Sequence, residues 1–96
     1  MTVNAPDRTD PAIGELRERL AANDLRILEA VNARLRLVSE LKRVKEKLGV
    51  GFVDQAREEW LLAFLAQANE GPLSDEGLRE FYSGLLALTK RELDEA

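Results

Sequence analysis

Between Pro11 and Leu48 the chain has no further proline and no cluster of turn-forming residues, and its one glycine, Gly14, lies near the start. Apolar residues fall at Ile13, Leu16, Leu20, Ile27, Val31, Leu35, Val38, Leu41 and Leu48, mostly three or four positions apart. That spacing marks one face of an α-helix. Asp10 suits the N-cap, and Pro11 suits the first helical position, where its missing N–H costs nothing. The expected helix has about 37 residues and is roughly 55 Å long. A 96-residue chain folds to a radius of gyration near 13 Å. One end of such a helix must project beyond its own chain's core, and its apolar stripe then needs a partner. An identical chain is the simplest one.

Gly49-Val50-Gly51 ends this helix. Asp54 is placed to cap a second, running through Arg57, Trp60, Leu61, Phe64 and Leu65 to about Asn69, where Gly71-Pro72 breaks it. Ser74 then caps a third, with Asp75 and Glu76 in a first turn that favours negative charge. Leu78, Phe81, Tyr82, Leu85, Leu86, Leu88 and Leu93 give the third helix its apolar positions. There is no strand signal. The expected fold is all-α: three helices, one very long, in an intertwined helical dimer. Residues 1–10 read as a disordered polar leader and 11–96 as the helical domain.

Composition narrows the chemistry. There is no cysteine, so disulfides, zinc–thiolate sites and cysteine nucleophiles are excluded. There is no histidine either, which removes the usual general base and the commonest metal ligand. A net charge of −4 disfavours general nucleic-acid binding, which needs a basic face. The longest apolar run, Trp60 to Ala66, is too short to span a membrane. The N-terminus lacks the apolar stretch of a signal peptide, and the absence of cysteine permits a cytoplasmic location.

The informative residues are charges within or beside the apolar stripe. Arg34 and Lys45 are 11 positions apart. At about 100° per residue they differ by only about 20° around the helix, so they share a face. Arg17 lies 17 positions before Arg34, turned by about 100° and displaced by about 25 Å. Arg17 and Arg34 of one chain cannot hold the same small molecule. In an antiparallel dimer, Arg17 of one chain could approach Arg34 of the other. Arg57 and Glu58 sit in the first turn of the second helix beside Asp54, where a cation opposes the helix dipole. Taken singly, each is most simply a solvated surface charge; their joint spacing argues for more.

These residues resemble the all-helical chorismate mutases. Leu16-Arg17-Glu18-Arg19-Leu20 is similar to the family's opening motif, whose arginine reaches into the partner subunit's site. Asn32-Ala33-Arg34-Leu35 matches its second arginine and Leu41-Lys42-Arg43-Val44-Lys45 its catalytic lysine. Asp54-Gln55-Ala56-Arg57-Glu58-Glu59 matches the start of its second helix. The spacings from Arg17 to Glu58 fit without a gap. In the third helix the family carries a serine and, four residues later, a glutamine or glutamate. Alignment on Phe81 places Leu88 and Glu92 there; alignment on Tyr82 places Thr89 and Leu93. Glu92 is preferred because it can donate when protonated and leucine cannot. Thr89, on roughly the same face, could do the serine's work.

The resemblance implies isomerisation of chorismate to prephenate, in which a C–O bond breaks as a C–C bond forms within one molecule. That reaction needs no cofactor, metal or nucleophile. It needs a flexible dicarboxylate held in a compact conformer and charge stabilised on the ether oxygen. By resemblance, Arg34, Lys45 and Glu92 are the catalytic residues. Arg17 (from the partner chain), Asp54, Arg57, Glu58 and Thr89 bind substrate, and Val38, Leu41, Leu85 and Leu88 wall the pocket. The arginines suit bidentate contact with carboxylates. Lys45 and protonated Glu92 would donate to the ether oxygen. Glu58 would accept from the ring hydroxyl, while Arg57 orients that corner and backbone N–H groups near Asp54 contribute.

Two relatives of that fold use the same carboxylate clamps: an isochorismate pyruvate-lyase and a 4-amino-4-deoxychorismate mutase. From a different class, a non-catalytic helical dimerisation module fits the apolar stripes equally well. Arg34 and Lys45 separate it from an enzyme, because a pure scaffold gains by replacing buried cations with leucine.

Overall fold

The computed structural model describes residues 10–51 and 54–94 and is built from three α-helices: α1 (Pro11–Leu48), α2 (Gln55–Ala68) and α3 (Asp75–Asp94). Apart from Asp10, the expected leader lies outside the described residues. The long first helix is one uninterrupted element of 38 residues, as its spacing implied.

Both ends of α1, both ends of α2 and the start of α3 are fixed by local contacts that the sequence encodes. At the start of α1 the Ala12 N–H donates to Asp10 Oδ1 at 2.9 Å, and Pro11 needs no acceptor. At its end Gly49 takes a left-handed backbone, φ +72°. The Gly49 N–H donates to the Glu46 carbonyl at 3.2 Å and the Val50 N–H to the Lys45 carbonyl at 2.9 Å. This paired closure satisfies the last carbonyls of the helix and favours glycine at the turning residue. Lys45 and Lys47 in the last turn complement the negative end of the helix dipole.

The Arg57 N–H donates to Asp54 Oδ1 at 3.1 Å, so Asp54 caps α2. Asn69 closes the other end, its N–H donating to the Leu65 carbonyl at 2.9 Å. Its side chain then organises the turn: Nδ2 donates to the Leu73 carbonyl at 2.7 Å, and Oδ1 accepts from the Gly71 N–H at 3.0 Å. Ser74 caps α3 by accepting from the Gly77 N–H at 3.0 Å.

The contacts divide the chain into two units, one through Leu37 and one from Val38. In the second unit α2 packs on α3. Leu78 (4% exposed) is the one large apolar side chain buried among the described residues, and Thr89 (5%) is buried with it. Leu16, Leu20, Ile27 and Leu28 on α1 stand exposed in the single chain, as do Leu41, Val44 and Leu48 nearer its end. Trp60, Phe64 and Phe81 are half exposed as well. No helix among the described residues is long and apolar enough to cross a membrane.

Candidate functional site

The first unit carries two of the expected residues, both on α1. Arg17 is exposed and Arg34 half-buried. The continuous helix keeps their Cα atoms about 25 Å apart along its axis, so the chain does not bring these two cations together on its own.

The second unit carries the other six. Lys45 is half-buried in the last turn of α1, and its own carbonyl takes part in the helix closure at Val50. One turn earlier the Lys42 ammonium donates to the Leu93 carbonyl at 3.0 Å, tying the end of α1 to the end of α3. Arg43, on the outer side, is exposed and reaches Ser39 Oγ at 3.4 Å.

Asp54, Arg57 and Glu58 form one corner at the start of α2. The Asp54 carboxylate accepts from the Arg57 N–H, and its carbonyl accepts from the Glu58 N–H at 3.1 Å. These backbone donors are therefore already engaged by Asp54 itself. The Arg57 guanidinium lies over the Trp60 indole, 4.2 Å from the ring centroid, a cation–π contact. Trp60 in turn stacks on Phe64 with centroids 5.1 Å apart and planes 6° from parallel. The aromatic pair thus holds the Arg57 head group despite its unfavourable position at the positive end of the helix.

Glu58 is half-buried and paired. Lys90 Nζ lies 3.1 Å from Oε2 and 3.4 Å from Oε1, linking the first turn of α2 to the last part of α3. The pair lines a groove between the two helices, with Leu62, Ser83, Leu86 and Arg91 among its walls. Leu85, Leu88, Thr89 and Glu92 follow one another at helical spacing on one face of α3. Thr89 is buried there and its hydroxyl donates to the Leu85 carbonyl at 2.7 Å. Leu85, Leu88 and Leu93 are half-buried, whereas Glu92 is exposed in the single chain.

Sequence reasoning missed Lys42 and Lys90. Their partners lie 51 and 32 positions away, beyond any local pattern. The available signal was a lysine at helical spacing beside apolar residues: Lys42 next to Leu41 and Val38, and Lys90 four positions after Leu86.

Known proteins are similar to this chain in sequence and in fold. The family model described as Chorismate mutase type II matches residues 16–92, a span that includes every residue from Arg17 to Glu92. The bifunctional chorismate mutase/prephenate dehydratase of Pseudomonas aeruginosa is 38% identical over 82 residues, 76% of this chain and 22% of that protein. The protein of the same description from Stutzerimonas stutzeri is 35% identical over a stretch of equal length. The chain therefore spans about a fifth of the length of these curated relatives. Two solved structures of chorismate mutase from Thermus thermophilus are each 33% identical and superpose with TM-scores of 0.78 and 0.79. Each superposition covers 81% of this chain, and 89% or 98% of the Thermus chain.

Proposed function

This chain belongs to the chorismate mutase type II family, and from that premise we propose that it catalyses the rearrangement of chorismate to prephenate as a dimer whose two sites each draw on both chains. The observation that carries the reading is the family match itself. It runs from residue 16 to residue 92, a span that contains Arg17 through Glu92.

The chemistry asks for what these residues offer. The substrate is a flexible dicarboxylate, and most of its conformers are unreactive. Arg34 and the partner chain's counterpart of Arg17 take the two carboxylates, and the planar guanidinium fork fixes orientation as well as charge. Holding the reacting carbons in contact removes much of the entropic part of the barrier. Lys45 donates to the ether oxygen as the C–O bond lengthens and negative charge collects there. A donor aimed at charge that develops only in the transition state lowers the barrier rather than merely tightening binding. Glu92, if protonated, donates a second hydrogen bond to that oxygen, with Thr89 beside it. Glu58 accepts from the ring hydroxyl, and Asp54 and Arg57 hold that corner in place. No group has to form a covalent bond or cycle a proton through the reaction, so a chain without histidine or cysteine is equipped for it.

Burial supports the dimer. Leu20 (62% exposed) and Leu48 (71%) lie open in the single chain, and burying such a side chain contributes about 1.5–3 kcal/mol each. A second copy laid along α1 covers these positions and carries its own Arg17 with it. The proposed setting is the cytoplasm.

Turnover by the purified protein of chorismate, isochorismate and 4-amino-4-deoxychorismate, followed by separation of products, tests the reading. Prephenate formation from chorismate as the preferred reaction supports it. Pyruvate release from isochorismate, or preference for the amino substrate, reassigns the activity within the fold. A folded dimer inert on all three contradicts the enzyme reading and leaves a helical dimerisation module.

A further inference from the structure

We propose that Lys90 is a positioning residue for the substrate's ring hydroxyl, acting through the carboxylate of Glu58. This inference rests on the chorismate mutase reading above and deepens it. Lys90 Nζ faces both oxygens of Glu58, at 3.1 and 3.4 Å. A carboxylate has about four lone-pair sites, so a cation gripping it on one side leaves acceptor capacity on the other. Glu58 stands on the first turn of α2 with a long, rotatable side chain. Its backbone N–H is tied to the Asp54 carbonyl, yet that bond does not fix the direction of the carboxylate. Lys90 does, by anchoring it to the opposite helix. An acceptor locked in one direction loses less rotamer entropy when a hydroxyl arrives than a freely turning one.

The pair's exposure, 38% at Lys90 and 27% at Glu58, bears on its role. An ion pair this accessible contributes little to stability, so its removal leaves the fold standing and its effect is read in kinetics. Lys90 also follows Thr89 directly in the chain, so the same turn of α3 presents one residue to the buried face and the next to Glu58.

The test is a double-mutant cycle in the intact dimer. Lys90→Met raises KM about tenfold with kcat within about twofold of the parent, and Lys90→Arg stays within about threefold on both. In a Glu58→Gln background the further change to Lys90→Met alters KM by less than about twofold, because the group through which Lys90 acts is already lost. A parental KM in Lys90→Met, or a tenfold rise that persists in the Glu58→Gln background, overturns the proposal. Lys90→Gln repeats the cycle if the methionine variant folds poorly. A ligand-free readout separates this inference from the function it rests on: side-chain NMR relaxation at Glu58 shows increased mobility in Lys90→Met. If the parent is inert on chorismate but Glu58 is loosened by Lys90→Met, the catalytic reading fails and the tether stands. If the parent is active and Glu58 is unchanged in both mobility and KM, the tether fails.

Discussion

Lys42 Nζ donates to the Leu93 carbonyl at 3.0 Å, joining two helices across 51 positions of sequence. The acceptor lies at the C-terminal end of α3, where carbonyls have no partner within the helix and a cation complements the dipole. The contact ties the end of α3, beyond Thr89 and Glu92, to the turn of α1 that precedes Lys45. Lys42→Met should cost about 0.5–1.5 kcal/mol of stability. It should also accelerate amide hydrogen exchange at the end of α3 more than in α2. Arg43→Met, one position on and exposed, should leave both unchanged. Equal exchange rates in the two variants would show that the tether does not hold the helix end.

Arg34→Ala and Lys45→Ala should each lower kcat/KM by at least about a hundredfold, or about 2.7 kcal/mol of transition-state stabilisation. The Lys45 variant should lose kcat above all, since its donor acts on charge that develops during the reaction. The Arg34 variant should lose binding as well. Both should remain folded dimers, and Arg43→Ala should turn over like the parent. Steady-state kinetics on chorismate checks all three, and near-parental turnover by Arg34→Ala or Lys45→Ala removes that residue from the site.

Much of the fold is legible because its determinants are local. Asp10, Gly49, Asp54 and Ser74 each act on backbone groups within four or five positions, so residue type and spacing announce them. Arg57 over Trp60 is a three-residue step on a helix and could also have been read. The pairs Glu58–Lys90 and Lys42–Leu93 could not, because contacts across 32 and 51 positions of sequence decide them. The third helix shows the same limit. Leu88, Thr89, Glu92 and Leu93 all fall within one broad face, and periodicity cannot choose among them. Only packing shows that Thr89 is buried while Glu92 is exposed in the single chain.

That face supports a direct comparison of variants. If protonated Glu92 donates to the ether oxygen, Glu92→Gln supplies a permanently neutral donor of nearly the same shape. It should keep activity. Glu92→Ala should lose it. Thr89→Ser should keep activity, whereas Thr89→Val, of similar volume but without a hydroxyl, should reduce it. Parental rates in Glu92→Ala with reduced rates in Thr89→Val would assign the family's serine position to Thr89.

The central claim is that each site is built from two chains, and complementation between damaged chains tests it most directly. Arg17→Ala and Arg34→Ala homodimers should both be nearly inactive, since each lacks one carboxylate clamp in both of its sites. Unfolding and refolding an equal mixture should form heterodimers, detectable by native mass spectrometry. A heterodimer places the intact Arg17 of one chain beside the intact Arg34 of the other in one of its two sites. With half of the dimers mixed and one good site in each, the mixture should regain about a quarter of parental activity per site. Heterodimers that form in that proportion yet leave the mixture as inactive as its components would show that Arg17 does not act across the interface.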